Sequence, residues 1–242
     1  MKSICQFSMV ILVSLFTFSC TSKVILLTNF QNEVLGTTPS HDIPGNPPGD
    51  RIDFIPELAP GLKIGQWNTT GTKALEFSYV NTGRISGHST WLSFRGASTD
   101  FSQTVWYIYS AKRNANFGDL ITDLSDGSSG YIARMKIKPS GHVTLIGRDW
   151  FTEREIGRVP IDAPFSVIFT VNVASGTYNL MIASVGKELI RVNNEPLMTS
   201  NPLSFHNPAN PSISFSFDQG AGPGTKYTIE RLSITRKNPS KK

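Results

Sequence analysis

Ile213-Ser-Phe-Ser-Phe217 is the stretch on which the fold turns: apolar and serine side chains alternate with a period of two. The isoleucine and phenylalanines point one way and the serines the other, as in an antiparallel strand packed on a core and wet on its far face. Segments of the same kind recur along the chain with turn residues between them, and helical periodicity is almost absent. Strands are expected near Lys23–Thr28, Arg51–Ile55, Leu62–Trp67, Lys73–Val80, Ser89–Arg95 and Thr104–Ser110. More are expected near Tyr131–Lys138, His142–Gly147, Phe165–Val173, Tyr178–Val185, Glu188–Val192, Ile213–Phe217 and Tyr227–Thr235. That many strands favour two packed antiparallel sheets over a small barrel.

The turns have a chemical basis. Lys138-Pro-Ser-Gly-His142 puts Pro and Gly where a type I or II turn uses them, and Ala174-Ser-Gly-Thr177 does the same between two long apolar strands. Gly36 to Asp50 carries Pro39, Pro44, Pro47 and Pro48 and cannot be a central strand. Gln219-Gly-Ala-Gly-Pro-Gly-Thr225 reads as a flexible connection. Strand-like sequence flanks both stretches, so neither divides the chain, and no period of about 20 to 50 residues marks a repeat. One domain is expected over residues 20–235, followed by a basic tail at 236–242.

The formal net charge of +5 resides at the ends. With Lys2, Arg236, Lys237, Lys241 and Lys242 set aside, 18 basic residues balance 18 acidic ones. A nucleic-acid binder needs a basic stripe on its folded surface, and a neutral body argues against that class.

The first residues supply an address. Lys2, the apolar run Met9-Val-Ile-Leu-Val-Ser-Leu-Phe-Thr-Phe18 and Ser19-Cys20 resemble a bacterial lipoprotein signal over residues 1–19. The resemblance implies cleavage before Cys20, acylation of its thiol and amine, and attachment to a membrane of the cell envelope, facing the periplasm or the exterior. Two other readings stand beside it: a secretory signal that happens to end near a cysteine, and an uncleaved membrane helix. The helix would need about 20 mostly apolar residues. Cys5 and Cys20 are the only cysteines, so a mature domain beginning at Cys20 holds no disulfide and must rely on its core.

Three local patterns point to a family. Thr28-Asn-Phe-Gln-Asn-Glu-Val-Leu-Gly-Thr-Thr-Pro39 resembles the opening of exported concanavalin A-like (laminin G-like) jelly rolls. Val171-Asn-Val-Ala-Ser-Gly-Thr-Tyr-Asn-Leu180 is similar to their Gly-turn hairpin, and Ser212–Phe217 with Tyr227–Thr235 to their closing strands. The resemblance implies an all-β, two-sheet antiparallel jelly-roll sandwich. Its members include glycan-binding modules, glycosidases, lyases and domains without a known ligand, so the fold leaves the activity open.

The glycosidases of that fold carry Glu-x-Asp-x-x-Glu or Glu-x-Asp-x-Glu on one strand, with retaining carboxylates about 5–5.5 Å apart. Asp149-Trp-Phe-Thr-Glu-Arg-Glu155 comes nearest, with Glu153 and Glu155 as the candidate pair, but Arg154 replaces the middle Asp and the first Glu is missing. A polar hairpin with both glutamates near Arg154 or Arg158 accounts for the segment more simply. His41, His88, His142 and His206 lie in loop or turn contexts without the Gln-x-His setting of the lyases. No two histidines have metal-ligand spacing, and no nucleophile motif occurs. No cofactor is implied. Calcium has weak support from Asp119, Asp123 and Asp126, and a turn held by Asp side chains explains that run better.

Sugar binding calls for exposed aromatics with a few polar groups. Alternation places Trp91, Ser93 and Arg95 opposite Leu92 and Phe94, separates Tyr107 and Tyr109 from Trp106 and Ile108, and sets Arg134, Lys136 and Lys138 against Ala133, Met135 and Ile137. Trp91, Arg95, Tyr107, Tyr109 and Arg134 are therefore the candidate ligand platform, although strand aromatics also pack well in cores. The expectation is a lipid-anchored envelope protein whose sandwich recognises a polysaccharide or oligosaccharide without cleaving it. A divergent polysaccharide hydrolase or lyase is the alternative, and an exposed sheet edge that binds protein is a third.

Overall fold

The computed structural model describes residues 24–42, 51–80, 90–96, 104–114, 117–125, 130–198, 211–218, 220–236 and 238. The N-terminal signal with Cys20, most of the Pro-rich stretch, His88, Asp126, His206 and most of the basic tail lie outside them.

Fifteen strands occur among the described residues. They are β1 (Val24–Thr28), β2 (Arg51–Phe54), β3 (Leu62–Gln66), β4 (Lys73–Ser78), β5 (Thr90–Arg95), β6 (Val105–Arg113), β7 (Leu120–Ser125) and β8 (Tyr131–Ile137). The rest are β9 (His142–Ile146), β10 (Glu153–Arg158), β11 (Phe165–Asn172), β12 (Thr177–Ser184), β13 (Ile190–Pro196), β14 (Ser212–Phe217) and β15 (Lys226–Thr235). One short 3-10 segment, Pro56–Gly61, precedes β3.

An eight-stranded sheet runs β13-β12-β11-β6-β15-β4-β3, with β1 also paired to β15. A seven-stranded sheet runs β10-β9-β8-β7-β14-β5-β2. Their inner faces share one core, in which Tyr109 of the first sheet meets Phe215 of the second edge to face at 5.2 Å. Phe77 stacks on Phe217 at 4.7 Å across the same seam. The side of the sandwich is closed where β10 meets β13. There Arg154 pairs with Glu195, and a Cβ on Gly157 would fall 2.7 Å from Ile190, so only glycine lets the strands approach.

The expected hairpins form. Gly141, at φ +86°, donates its N–H to the Lys138 carbonyl and turns β8 into β9. Gly176, at φ +64°, turns β11 into β12. All thirteen expected strands are present within a few residues of their anticipated ends.

Two strands were not expected. The run read as an aspartate-held turn or weak calcium loop is β7, an inner strand of the seven-stranded sheet paired with β8 and β14. Its residues Leu120 to Leu124 are all buried, so no alternation of apolar and polar residues marks it. Asp123 there accepts from Arg134 of β8. Among the described residues no group of three or more acidic, histidine or cysteine side chains could hold a metal. The second is the edge strand β10, which carries Glu153 and Glu155.

The serine face of Ile213–Phe217 also differs from expectation. Ile213, Phe215 and Phe217 enter the core, but Ser216 on the other face is only 2% exposed. Ser93, Ile121 and Thr144 on neighbouring strands are likewise buried away from the core side. The middle of the seven-stranded sheet is therefore covered on both faces. Strands β6 and β11 of the other sheet alternate between buried and half-buried residues.

Phe215 touches Phe94, Tyr109 and Tyr227. Phe215→Ala should cost about 3–5 kcal/mol, because the rings around it belong to two sheets and cannot collapse into the gap. Tyr109→Phe, which removes only the hydroxyl bonded to Thr122 Oγ1 at 3.3 Å, should cost about 1 kcal/mol. Urea unfolding of both variants reads the difference.

Candidate functional site

The strongest site lies where β8 begins and β9 turns into β10, on the outer side of the seven-stranded sheet. Between β9 and β10 the chain makes a tight turn: Gly147 N–H donates to the Thr152 carbonyl at 2.8 Å and Trp150 N–H to the Gly147 carbonyl at 3.0 Å. Asp149 Oδ1 accepts from the backbone N–H groups of Phe151 and Thr152, at 3.2 and 2.9 Å. Its other oxygen accepts from the Thr152 hydroxyl. These bonds hold the Asp149 carboxyl below the usual carboxylate range, with the Thr152 hydroxyl as the main cause. Arg148 ties the turn to the strand region after β13 by donating to the Leu197 carbonyl at 2.6 Å.

The turn forces Trp150 to φ +67°, a region that bulky side chains rarely occupy. The strained residue presents its ring to solvent at 42% exposure, and the next residue, Phe151, is 89% exposed. The Trp150 and Tyr131 rings meet edge to face at 4.9 Å. The Arg134 guanidinium lies 4.7 Å from the Trp150 ring centre and 5.2 Å from that of Tyr131. Arg134 is itself fixed from below by two bonds to the Asp123 carboxylate, at 2.6 and 2.8 Å. The result is an aromatic corner around a cation that cannot swing away.

The expected platform is divided by the sandwich. Tyr107 and Tyr109 are fully buried on β6, in the eight-stranded sheet, and face the core rather than a ligand. The physical reason is size: both rings fill the seam between the sheets, where Tyr109 packs on Phe215. Trp91, Arg95 and Arg134 belong to the other sheet. Trp91 is 36% exposed on β5, and Arg95 is engaged by Asp53 at 2.8 Å. Two strands, β14 and β7, separate β5 from β8, so Trp91 and Arg134 sit about 14 Å or more apart.

Glu153 and Glu155 share the outer face of β10 opposite Ile146 and Thr144. Each has a cationic or histidine partner. Lys136 and Lys138 hold Glu153 at 2.6 and 3.2 Å, and His142 Nδ1 lies 2.7 Å from Glu155. The Lys136 hydrogen bond pulls Glu153 below the ordinary glutamate range, so it is ionised at neutral pH and has no proton to give a leaving group. The polar hairpin forms between β9 and β10, but its glutamates pair with lysines and a histidine rather than with Arg154 or Arg158. Two carboxyls are pushed the other way, Glu33 by burial and Asp119. Burial, and then the charge of Asp218, raises Asp119 at the start of β7.

The sequence reading missed Trp150, Tyr131 and Phe151. Two adjacent aromatics in a turn between strands, with no strand alternation to bury them, were the available signal.

Compared with models of known protein families and with curated protein sequences, the chain finds no match. Solved structures do resemble it. The catalytic domain of a glycoside hydrolase family 131 protein from Coprinopsis cinerea aligns with a TM-score of 0.62 at 15% identity, covering 90% of this chain and 96% of that one. A GH131 beta-glucanase catalytic domain from Podospora anserina aligns with a TM-score of 0.54 at 12% identity, over 77% of this chain and 83% of its own. Winged bean acidic lectin, solved with methyl-alpha-D-galactose, gives 0.51 at 10% identity, over 78% and 93%. Such identities speak to architecture alone, and with the two antiparallel sheets they make this chain a concanavalin A-like jelly-roll sandwich.

Proposed function

We propose that the chain is a non-catalytic glycan-recognition module, and that the corner of Trp150, Tyr131 and Arg134 receives the sugar. The observation that carries this reading is the tryptophan held in a strained conformation with its ring in solvent. A left-handed backbone costs a non-glycine residue about 1–2 kcal/mol, and strain of that kind is retained where a surrounding structure uses it. Here the turn sets an indole at the rim, where a pyranose can stack, beside a guanidinium that can reach its hydroxyl oxygens. The neighbours of the same fold, a lectin solved with a galactoside and two GH131 catalytic domains, support a saccharide as the ligand class. The lipoprotein-like start supports display on the cell envelope through Cys20.

Recognition is favoured over hydrolysis by the state of the candidate carboxylates. A glycosidase needs one carboxyl kept protonated beside one kept ionised. Neither member of the candidate pair fills the acid's role: Glu153 is drawn toward ionisation by lysines and Glu155 is engaged by His142, while the raised carboxyl, Asp119, is not one of that pair. The protein should therefore bind a glycan in a polysaccharide panel and leave it intact. At 100 times its dissociation constant a ligand adds about 2.7 kcal/mol of stability, a rise of roughly 5–10 °C in melting temperature for a chain of this size. A shift with released reducing ends would make the hydrolase the correct reading, and no shift across a broad panel would remove the recognition role.

Trp150→Asn is the decisive variant, because asparagine tolerates positive φ. It should abolish the ligand-induced shift while changing stability without ligand by no more than about 1 kcal/mol, since relief of strain offsets the lost contact with Arg134. Arg134→Gln is a different case. It leaves the Asp123 carboxylate, whose side chain is 8% exposed, without its cation, at an expected cost of about 3–5 kcal/mol. The double variant Asp123→Asn/Arg134→Gln should recover much of that loss, as chemical denaturation would show.

A further inference from the structure

The eight-stranded sheet has a groove on its own outer face, on the far side of the core from the Trp150 corner. It encloses about 280 Å³ and is floored by β6, β11, β12 and β13. Trp106 stands opposite Thr170, and Thr170 opposite Asn179, so an indole, a hydroxyl and an amide form one row across three strands. Asn193 of β13 extends the lining on the far side of Asn179. The next row is Ile168, Met181 and Arg191, which ends the groove in a cation. Asn238, just past β15, contributes to the rim.

Several of the polar groups on the strands here are not consumed by the fold. Asn179 Oδ1 accepts from the Asn194 backbone N–H at 2.7 Å, which fixes the amide and leaves its Nδ2 as a donor. The side chains of Thr170, Asn193 and Arg191 have no hydrogen-bond or ion-pair partner among the described residues. Among the described residues no carboxylate lines the groove. On the seven-stranded sheet Arg95, Arg134, Lys136, Lys138 and Arg154 each face an acidic side chain, whereas Arg191 of the eight-stranded sheet has no ion pair among the described residues.

The geometry points to a second binding site, for the uronic acid residue of a saccharide. An aromatic face beside amide and hydroxyl groups suits a pyranose ring, whose apolar C–H face stacks while its rim takes hydrogen bonds. An unpaired guanidinium with no competing carboxylate suits the sugar's own carboxylate, which it can hold through two parallel bonds. The volume, just under the roughly 300 Å³ at which small-ligand pockets begin, limits the site to about one ring. It is independent of the Trp150 reading, because no residue is shared and the core lies between the two faces.

The test uses indole N–H resonances of the whole protein, with that of Trp106 assigned by its loss in Trp106→Phe. D-glucuronic acid and trigalacturonic acid are titrated against their neutral counterparts, glucose and a neutral trisaccharide. The Trp106 signal should shift and saturate with the uronic acids, with neutral sugars binding at least tenfold more weakly. Arg191→Gln should remove that preference, and Trp150→Asn should leave the Trp106 titration unchanged. The proposal is overturned if the Trp106 signal ignores all four sugars, if Arg191→Gln binds uronic acids as the wild type does, or if Trp150→Asn abolishes the response. It is equally overturned if the signal moves with protein concentration alone, which would make the groove a contact between copies.

Discussion

The inward placement of the β6 tyrosines governs what the sandwich can present on either side. Tyr109 meets Phe215 of the opposite sheet and bonds through its hydroxyl to Thr122. With Tyr107 also inside, strict alternation sends Trp106 and Ile108 outward. A slip of one residue would exchange the sets and put two tyrosines in water and an indole in the seam. The register between β6, β11 and β15 is thus pinned from the core, and the groove beside Trp106 is a consequence of that pinning.

This also explains how far the sequence could be read. Alternation divides each strand correctly into two sets, as in Ile213–Phe217 and Thr104–Ser110, but it does not say which set faces the core when both contain large rings. Alternation alone put Tyr107 and Tyr109 on a platform as exposed aromatics, yet their bulk fills the space between sheets better than Ile108 would. Sheet membership was also hidden: Trp91 and Tyr107 lie close in sequence and sit in different sheets. β7 escaped notice because it is buried on both faces, and its Asp123 is tolerated only because Arg134 completes it. Trp150 escaped because turns were read for their glycines and prolines rather than for residues that do not suit them.

The pairing of charges on the seven-stranded sheet has a functional consequence. Asp53 faces Arg95, Asp123 faces Arg134, Glu153 faces two lysines and Glu155 faces His142. Pairs at these partly exposed positions contribute little to stability individually, but together they give each of these four carboxylates a partner. The buried member of the set, Asp123 with Arg134, has a second effect. It fixes the guanidinium under Trp150 and Tyr131, so the aromatic corner is organised before any ligand arrives, and less ordering entropy opposes binding.

The two proposed sites are separated by the thickness of two packed sheets, about 10 Å between the sheet backbones, and share no hydrogen-bond partner among the described residues. Substitutions at such a distance add nearly independently, so a change at Trp150 reports on one face and a change at Arg191 on the other. The faces also differ in electrostatic kind. The corner holds a guanidinium already satisfied by Asp123, which would favour neutral hydroxyl-rich ligands, whereas the groove holds one with no ion-pair partner among the described residues, which would favour an anion. Under the two proposals a single sandwich would discriminate between sugars by charge, because the core keeps the two cations from sharing a counter-ion.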